Sequence, residues 1–295
     1  MRYSRCTIAI VVLLLGFGYA YGQQGASVKL YDRDPAQPLN AELQAFEDTA
    51  DWTVHHVLYD STNGQRVPAL LGLPKTGQPP YAVVMVQHGL GGDKNAEYVR
   101  LPALGLAKAG YATLRIDAHS HGEREPVGTS REMMARVVTM VQQGGWVQSI
   151  VDLRRGLDYL ATRDDIDMDR IGYVGVSMGA IMGGVLCGVE ERIRATVLIL
   201  GGSLGGLMGG MFDAIDPANY IASFSPRPLL MLNGRADPLI SAAAAQRLYD
   251  TAKDPKRIIW YDTGHTVPVD EAVKELTSFL EEHVPVTATP GPPKG

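Results

Sequence analysis

Short, unbroken apolar runs alternate with longer amphipathic stretches through most of this 295-residue chain. Runs such as YAVVMVQ at 81–87 lack polar alternation, which predicts parallel strands buried on both faces. Stretches such as WVQSIVDLRRGLDYLATR at 146–163 have the apolar spacing of helices. Strands and helices that alternate in this way predict an α/β fold with a mostly parallel, doubly wound sheet and helices on both faces.

An antiparallel hairpin is predicted at the N-terminal side of these strands. Apolar-rich segments at 52–60 and 66–74 flank the sequence STNG. Asn63 and Gly64 readily adopt the left-handed backbone conformations that a tight turn requires. We expect one domain over residues 51–284 that begins with this hairpin.

The first 22 residues have the pattern of a secretory signal peptide. Two arginines precede an apolar run from Ile8 to Leu15, and small residues follow at Ala20 and Gly22. The run is shorter than the ~20 residues that a membrane-spanning helix needs. We therefore expect cleavage near Gly22, no stable membrane anchor afterwards, and a secreted or periplasmic protein.

Two further segments flank the predicted domain. Residues 23–50 are polar with scattered prolines, which predicts an irregular lead-in segment. Residues 285–295 contain four prolines and little apolar surface, which predicts a disordered tail.

The charge and the cysteine content argue against nucleic-acid binding and against an internal disulfide. The net charge of −5 becomes −7 once Arg2 and Arg5 leave with the signal peptide, so the sequence lacks the basic footprint of a nucleic-acid-binding protein. Cys6 leaves as well, and the remaining Cys187 has no partner for an internal disulfide. Nothing in the sequence predicts an oligomeric state.

The sequence GVSMG at 175–179 places Ser177 where an apolar strand must turn into a helix of small residues. In such a turn, side chains at positions 175 and 179 would clash, so Gly175 and Gly179 are needed. The helix that begins near Met178 directs its N–H groups and positive dipole end toward the same place, which suits an oxygen anion. This arrangement predicts acyl transfer by a serine nucleophile.

A catalytic serine needs a histidine base and an acid that orients the histidine. Asp237 follows the strand RPLLMLNG and His265 follows the strand RIIWYD, so the three residues occur in the order Ser, Asp, His. Asp262 is too close in sequence to His265 to lie beneath its ring, and Asp216 has the position of a helix-start residue. We therefore expect Asp237 to be the acid.

The loop HGLGG at 88–92 is the candidate for an oxyanion-binding loop. Its glycines, including Gly89, allow backbone amides to turn toward the serine. We assign the two donors as the N–H groups of Leu90 and Met178. His88 is expected to brace the loop and not to act as a base.

At this point the chain resembles the α/β-hydrolase superfamily, and within it the dienelactone hydrolase-like and acyl-peptide hydrolase-like serine esterases, over about residues 52–283. The resemblance rests on HGLGG, RIDAHSHGERE, DDIDMDRIGYVGVSMGA, SPRPLLMLNGRADPLI and GHTVP. It implies that Ser177 is the nucleophile, Asp237 the acid and His265 the base, with Leu90 and Met178 as oxyanion donors. True dienelactone hydrolases have a cysteine nucleophile, which this chain lacks.

These features predict a carboxylesterase that cleaves small to moderate acyl esters through an acyl-enzyme, with a small-molecule ester as its partner and no cofactor. Two alternatives remain open, an acyl-peptide or oligopeptide hydrolase and a non-catalytic binding protein on the same fold. In DAHSHGERE, Asp117, His119, His121 and Glu123 alternate along the chain, and an H-x-H pair can bind a metal. The family resemblance implies instead a loop whose His-Gly turn shapes the rim of the cleft, and we expect no metal.

Two irregular stretches, 123–145 and 201–220, are expected to set specificity above the cleft. They carry apolar side chains that form either a wall over the cleft or part of the core. These are Met133, Met134, Trp146, Leu204, Leu207, Met208, Met211 and Phe212. Whether either stretch forms a mobile lid is left open.

Overall fold

The computed structural model describes residues 28–124, 133–205 and 212–287. Within these ranges, nine strands form one sheet: β1 (Glu42–Asp48), β2 (Trp52–Asp60), β3 (Arg66–Pro74), β4 (Tyr81–Gln87), β5 (Ala112–Ile116), β6 (Ile166–Val176), β7 (Ile193–Ile199), β8 (Leu229–Gly234) and β9 (Lys256–Tyr261). The helices are α1 (Glu97–Lys108), α2 (Met133–Gln142), α3 (Gly145–Leu160), α4 (Met178–Val189), α5 (Ala242–Thr251) and α6 (Val269–His283).

The strand order is β1-β2-β3-β5-β4-β6-β7-β8-β9. Strands β4 to β9 are parallel to one another, whereas β1, β2 and β3 form an antiparallel meander that joins them through an antiparallel pairing of β3 with β5. The predicted turn between β2 and β3 has φ of 57° at Asn63 and 67° at Gly64. The predicted doubly wound sheet with an antiparallel N-terminal hairpin is therefore confirmed.

The sheet separates two apolar cores. In β4, Val83 and Met85 belong to the core that contains α3 and α4, while Val84 belongs to the core that contains α1 and α6. Successive side chains of a strand point to opposite faces. An unbroken apolar run is thus what a strand between two helical layers requires, as the sequence indicated.

Strand β1 was not predicted, because it lies inside the segment 23–50 that was expected to be irregular. It pairs with β2 at the sheet edge, and its apolar side chains Leu43 and Phe46 are exposed. A strand with little burial on either face has no period-two pattern to reveal it.

The connection from β7 to β8 contains the irregular stretch 201–220. Its described part has no α-helix and contains three short 3₁₀ turns, Asp213–Ile215, Pro217–Asn219 and Ile221–Phe224. The Asp216 carboxylate accepts a hydrogen bond from the N–H of Ala218 at 3.0 Å. Asp216 therefore caps a turn, the kind of role that the sequence assigned to it.

The two ends of the chain lie partly outside the described residues. The expected signal peptide falls within 1–27, which the structure does not describe. Of the expected disordered tail, Pro285 and Val286 are instead held by Arg170, which donates hydrogen bonds to both carbonyl oxygens. Within residues 28–124, 133–205 and 212–287, no helix has the length and apolar character needed to cross a membrane.

Candidate active site

Ser177 lies at the sharp turn between β6 and α4. Its φ of 54° is in the left-handed region, and its N–H donates to the carbonyl of Ile199 at 2.8 Å. A Cβ added at Gly175 would come within 2.3 Å of the Gly179 carbonyl oxygen, and one added at Gly179 within 2.4 Å of the Gln87 carbonyl oxygen. Both contacts are with backbone, so glycine is needed at both positions to hold Ser177 in this strained conformation.

The side chains of Ser177, Asp237 and His265 meet at the carboxyl ends of β6, β8 and β9. The Ser177 hydroxyl lies 2.9 Å from Nε2 of His265, and Nδ1 of the same ring lies 2.7 Å from Oδ2 of Asp237. Oδ1 of Asp237 accepts the N–H groups of Leu239 and Ile240 at 2.8 and 3.0 Å. Because the Asp237 side chain is fully buried and bonded at both oxygens, it fixes the orientation of the imidazole ring.

The rival acids lie elsewhere. Asp262 has a 93% exposed side chain and pairs with Arg235 at 3.3 Å. Asp216 accepts a hydrogen bond from the hydroxyl of Ser203 at 3.0 Å, in addition to its capping bond. Neither of the two is hydrogen-bonded to His265 among the described contacts.

The loop after β4 lies directly against Ser177. A Cβ at Gly89 would come within 3.2 Å of the Ser177 Cβ, so a side chain at this position would press on the serine. Within the described part of the chain, the N–H groups of Leu90 and Met178 donate to no protein acceptor. These two donors therefore remain available to an oxygen atom bound next to Ser177.

His88 is buried beneath this loop. Its Nδ1 contacts the Gly89 carbonyl at 2.8 Å, and its Nε2 accepts the N–H of Ala118 at 3.0 Å. Burial lowers the pKa of His88 to about 4. A neutral ring with both nitrogens engaged tethers the loop after β4 to the loop after β5.

Sequence reasoning missed Tyr98, which lies in the first turn of α1. Its hydroxyl accepts the N–H of Gly89 at 3.0 Å, and burial raises its pKa. A Cβ at Gly92 would overlap this hydroxyl, at 2.0 Å. Tyr98 thus packs inside the curve of the HGLGG loop. The only sequence signal was an aromatic residue placed soon after that loop.

A cleft of about 390 Å³ opens at Ser177 and His265 and extends between α1 and α6. The walls that α1 and α6 contribute are apolar and include Leu101, Val273 and Leu276. A second cavity of about 540 Å³ lies on the other side of Leu90, and Ser177 is not among the residues that line it.

The candidate metal-ligand residues are engaged in other contacts. Asp117 accepts Nζ of Lys94 at 2.6 Å and the backbone N–H of Lys94 at 2.8 Å. Glu123 pairs with Lys94 at 2.5 Å and with His56 at 3.0 Å. No cluster of three or more potential metal ligands occurs in the part of the chain that the structure describes.

The stretches expected to cover the cleft are placed only in part. Trp146 and Phe212 are 2% and 3% exposed and pack in the core on the α3 and α4 side of the sheet, and Leu204 packs partly buried against that core. For these three, the core interpretation is the one the structure supports. The side chains of Met133 and Met134, together with residues 206–211, lie outside what the structure describes.

Comparison with known protein families gives one clear match. Residues 67–274, which include all the candidate site residues, match the profile of the dienelactone hydrolase family. A putative hydrolase of Bacillus subtilis, YtaP, is 28% identical over 179 residues, which are 57% of this chain and 59% of that protein. The matched region thus spans under two thirds of that relative.

Solved structures share the same architecture. An acetyl xylan esterase from Paenibacillus sp. R4 has a TM-score of 0.72 at 19% identity, covering 88% of this chain and 93% of the esterase. A cold-adapted esterase from an Arctic intertidal metagenomic library has a TM-score of 0.69 at 23% identity, covering 83% of this chain and 99% of the esterase. At these identities the likeness shows the α/β-hydrolase fold alone.

Proposed function

The chain belongs to the dienelactone hydrolase family of hydrolases, and we propose that it is an exported serine carboxylesterase that cleaves small to moderate acyl esters. The observation that carries this proposal is the position of His265, whose two ring nitrogens lie 2.9 Å from the Ser177 hydroxyl and 2.7 Å from the Asp237 carboxylate. This is the geometry that a serine nucleophile, its base and an orienting acid require.

In the first half of the reaction, the Ser177 Oγ attacks the ester carbonyl carbon. His265 accepts the hydroxyl proton at Nε2, while Asp237 accepts the hydrogen bond from Nδ1–H and stabilises the resulting imidazolium. The carbon–oxygen bond to the alcohol then breaks, and His265 returns the proton to the leaving oxygen. The products of this half are the free alcohol and an acyl group on Ser177.

The N–H groups of Leu90 and Met178 are the proposed hydrogen-bond donors that stabilise the negative charge on the carbonyl oxygen. The start of α4 contributes its positive dipole end at the same place. Each such donor is worth ~3 kcal/mol at the transition state. In the second half, His265 deprotonates a water molecule that attacks the acyl carbon. The bond between this carbon and the Ser177 Oγ then breaks, His265 returns the proton to this oxygen, and the carboxylic acid leaves.

Hydrolysis of p-nitrophenyl acetate and butyrate by the purified protein tests this proposal. We expect turnover by the native protein and its near-complete loss in Ser177→Ala, with unchanged thermal unfolding. Absence of hydrolysis by the native protein across esters of different acyl groups would contradict it.

The two alternatives make different predictions in the same assay. An acyl-peptide hydrolase would also release p-nitroaniline from N-acetyl-alanyl p-nitroanilide, whereas an esterase would not do so measurably, because an amine is harder to expel from the tetrahedral intermediate than p-nitrophenolate. A binding protein would cleave neither substrate. We expect ester cleavage without measurable cleavage of the anilide.

Export is proposed from the sequence of residues 1–22. Expression with this segment in a bacterial host and N-terminal sequencing of the periplasmic or extracellular protein test it. A mature protein that begins near Gln23 is expected. An uncleaved chain that stays in the cytoplasm would contradict the proposal.

A further inference from the structure

We infer that the cleft between α1 and α6 binds an uncharged hydrocarbon group of the ester, and that Val273 and Leu101 limit the length of this group. The inference rests on the proposed function, because the cleft is connected to Ser177. It also assigns substrate specificity to α1 and α6, and not to the stretches 123–145 and 201–220 that the sequence suggested.

The chemistry of the cleft walls favours a neutral, apolar group. The walls come mainly from aliphatic and aromatic side chains of α1 and α6, such as Leu101, Val273 and Leu276. Among the described residues that line the cleft, none is acidic, lysine or arginine. A charged group would lose its hydration there without gaining a partner, whereas a hydrocarbon group would be stabilised by leaving water.

The rim of the cleft is unusually apolar for a surface. Tyr98, Leu101 and Val269 are 43%, 39% and 52% exposed, and all three line this cleft. They are three of the seven large apolar side chains that are exposed in the described part of the chain. A cluster of exposed apolar residues around an opening to a candidate nucleophile is typical of a substrate-binding groove.

The two helices are close together at Val273, which lines the cleft. A Cβ added at Gly105 of α1, a residue outside the cleft lining, would come within 3.0 Å of a Val273 methyl group, so little space remains between α1 and α6 beyond this side chain. Leu276 is fully buried and forms part of the inner wall. Val273 therefore stands at the position where a larger side chain shortens the cleft.

The second cavity does not fit the same group. It is lined by Asp93, Lys94 and Glu123, which bring charges of both signs. A hydrocarbon group in this cavity would cover Asp93 and Glu123, whose side chains are partly exposed to water, and would cost part of their hydration. Ser177 also does not line this cavity. We therefore assign the hydrocarbon group to the cleft between α1 and α6.

The test is a chain-length series measured on the purified protein. Each methylene buried in the cleft contributes about a fourfold increase in kcat/KM. The hydrocarbon group is either the acyl chain or the alcohol of the ester, so two series are compared. One uses p-nitrophenyl acetate, butyrate and hexanoate, and the other uses ethyl, butyl and hexyl acetate. We expect kcat/KM to rise along one of the two series until the cleft is full.

Val273→Phe should lower the ratio of kcat/KM for the longest to the shortest ester of that series at least ~10-fold, because the larger side chain removes room for several methylenes. Lys274→Phe is the matched control, since it places the same side chain on the exposed neighbouring position of α6. The control should retain the native ratio. If Val273→Phe fails to fold, Leu101→Asp at the exposed rim replaces it and should lower the same ratio.

Equal ratios in the native protein, Val273→Phe and Leu101→Asp would overturn the inference while leaving the proposed esterase activity intact. If the native protein hydrolysed none of the esters, this result would instead contradict the proposed function. In that case, calorimetric binding of phenyl butyrate to Ser177→Ala decides the inference separately. Binding that is weakened by Val273→Phe supports the cleft assignment, and no binding, or binding that Val273→Phe leaves unchanged, overturns it.

Discussion

The hydroxyl of Tyr98 accepts the N–H of Gly89 at 3.0 Å and thereby links the first turn of α1 to the loop that carries Leu90. Tyr98→Phe keeps the ring in the cleft wall and removes this hydrogen bond together with the longer one, of 3.5 Å, that the hydroxyl donates to the Gly89 carbonyl. We expect kcat to fall roughly tenfold with KM within about twofold, because a displaced Leu90 N–H weakens transition-state stabilisation more than substrate binding. Steady-state kinetics on p-nitrophenyl butyrate measure both constants.

Tyr249→Phe is the control for this change. Tyr249 lies on α5, and its hydroxyl makes one long hydrogen bond, of 3.5 Å, to the Lys256 carbonyl. It should leave kcat at the native value. A Tyr98→Phe variant with unchanged kcat and raised KM would mean that Tyr98 contributes only to the substrate-binding surface.

Asp237→Asn is expected to reduce kcat by ~10⁴ while the protein remains folded, by analogy with the same change in serine proteases. The amide can hold the ring in the wrong tautomer, and it cannot stabilise the imidazolium. Asp262→Asn provides the comparison, because this carboxylate is exposed and pairs with Arg235 instead of His265. If Asp262→Asn were the inactive variant and Asp237→Asn retained activity, the acid would be misassigned.

His88 predicts a pH dependence of stability. Burial lowers its pKa from an ordinary value of 6.5 to about 4, so the unfolded chain binds a proton in this interval that the folded protein does not. The free energy of unfolding should therefore fall as the pH drops from about 6.5 to about 4, by an amount on the order of 3 kcal/mol from this residue.

Denaturant unfolding of the native protein and of His88→Gln at several pH values measures this contribution. Glutamine retains one donor and one acceptor but does not titrate in this range. The difference in stability between the two proteins should shrink as the pH is lowered. A difference that is constant with pH would show that His88 does not stay neutral in the folded protein.

Chelation tests whether the loop 117–123 binds a metal ion that the reaction needs. Asp117 and Glu123 both bind Lys94, and the proposed reaction assigns its charge stabilisation to backbone N–H groups and to Asp237. We expect ester hydrolysis to survive exhaustive treatment with EDTA. Activity that is lost on chelation and restored by zinc or calcium would assign a metal to His119 and His121 instead.

The features that the sequence predicted well are those set by local chemistry. The Asn63-Gly64 turn and the two glycines around Ser177 follow from backbone sterics, which act within a few residues. The alternation of apolar runs and helical stretches predicted a sheet between two helical layers, because each strand of the parallel region needs apolar side chains on both faces.

The features that the sequence missed depend on contacts between distant segments. Strand β1 has exposed apolar residues and is held by pairing with β2, so its own pattern carries no signal. The cleft depends on the packing of α1 against α6, which are more than 150 residues apart. Likewise, the hydrogen bonds from Arg170 that hold Pro285 and Val286 could not be inferred from the proline-rich composition of the tail.

The most direct test of the proposed mechanism is covalent labelling of Ser177 by a serine-directed fluorophosphonate, followed by peptide mass spectrometry. The native protein should carry one label on Ser177, whereas Ser177→Ala should remain unlabelled and lose ~10⁶ in kcat. Ser223→Ala, a change at an exposed serine away from the site, should label as the native protein does. Label on a different residue, or ester hydrolysis that persists in Ser177→Ala, would contradict the assignment of Ser177 as the nucleophile.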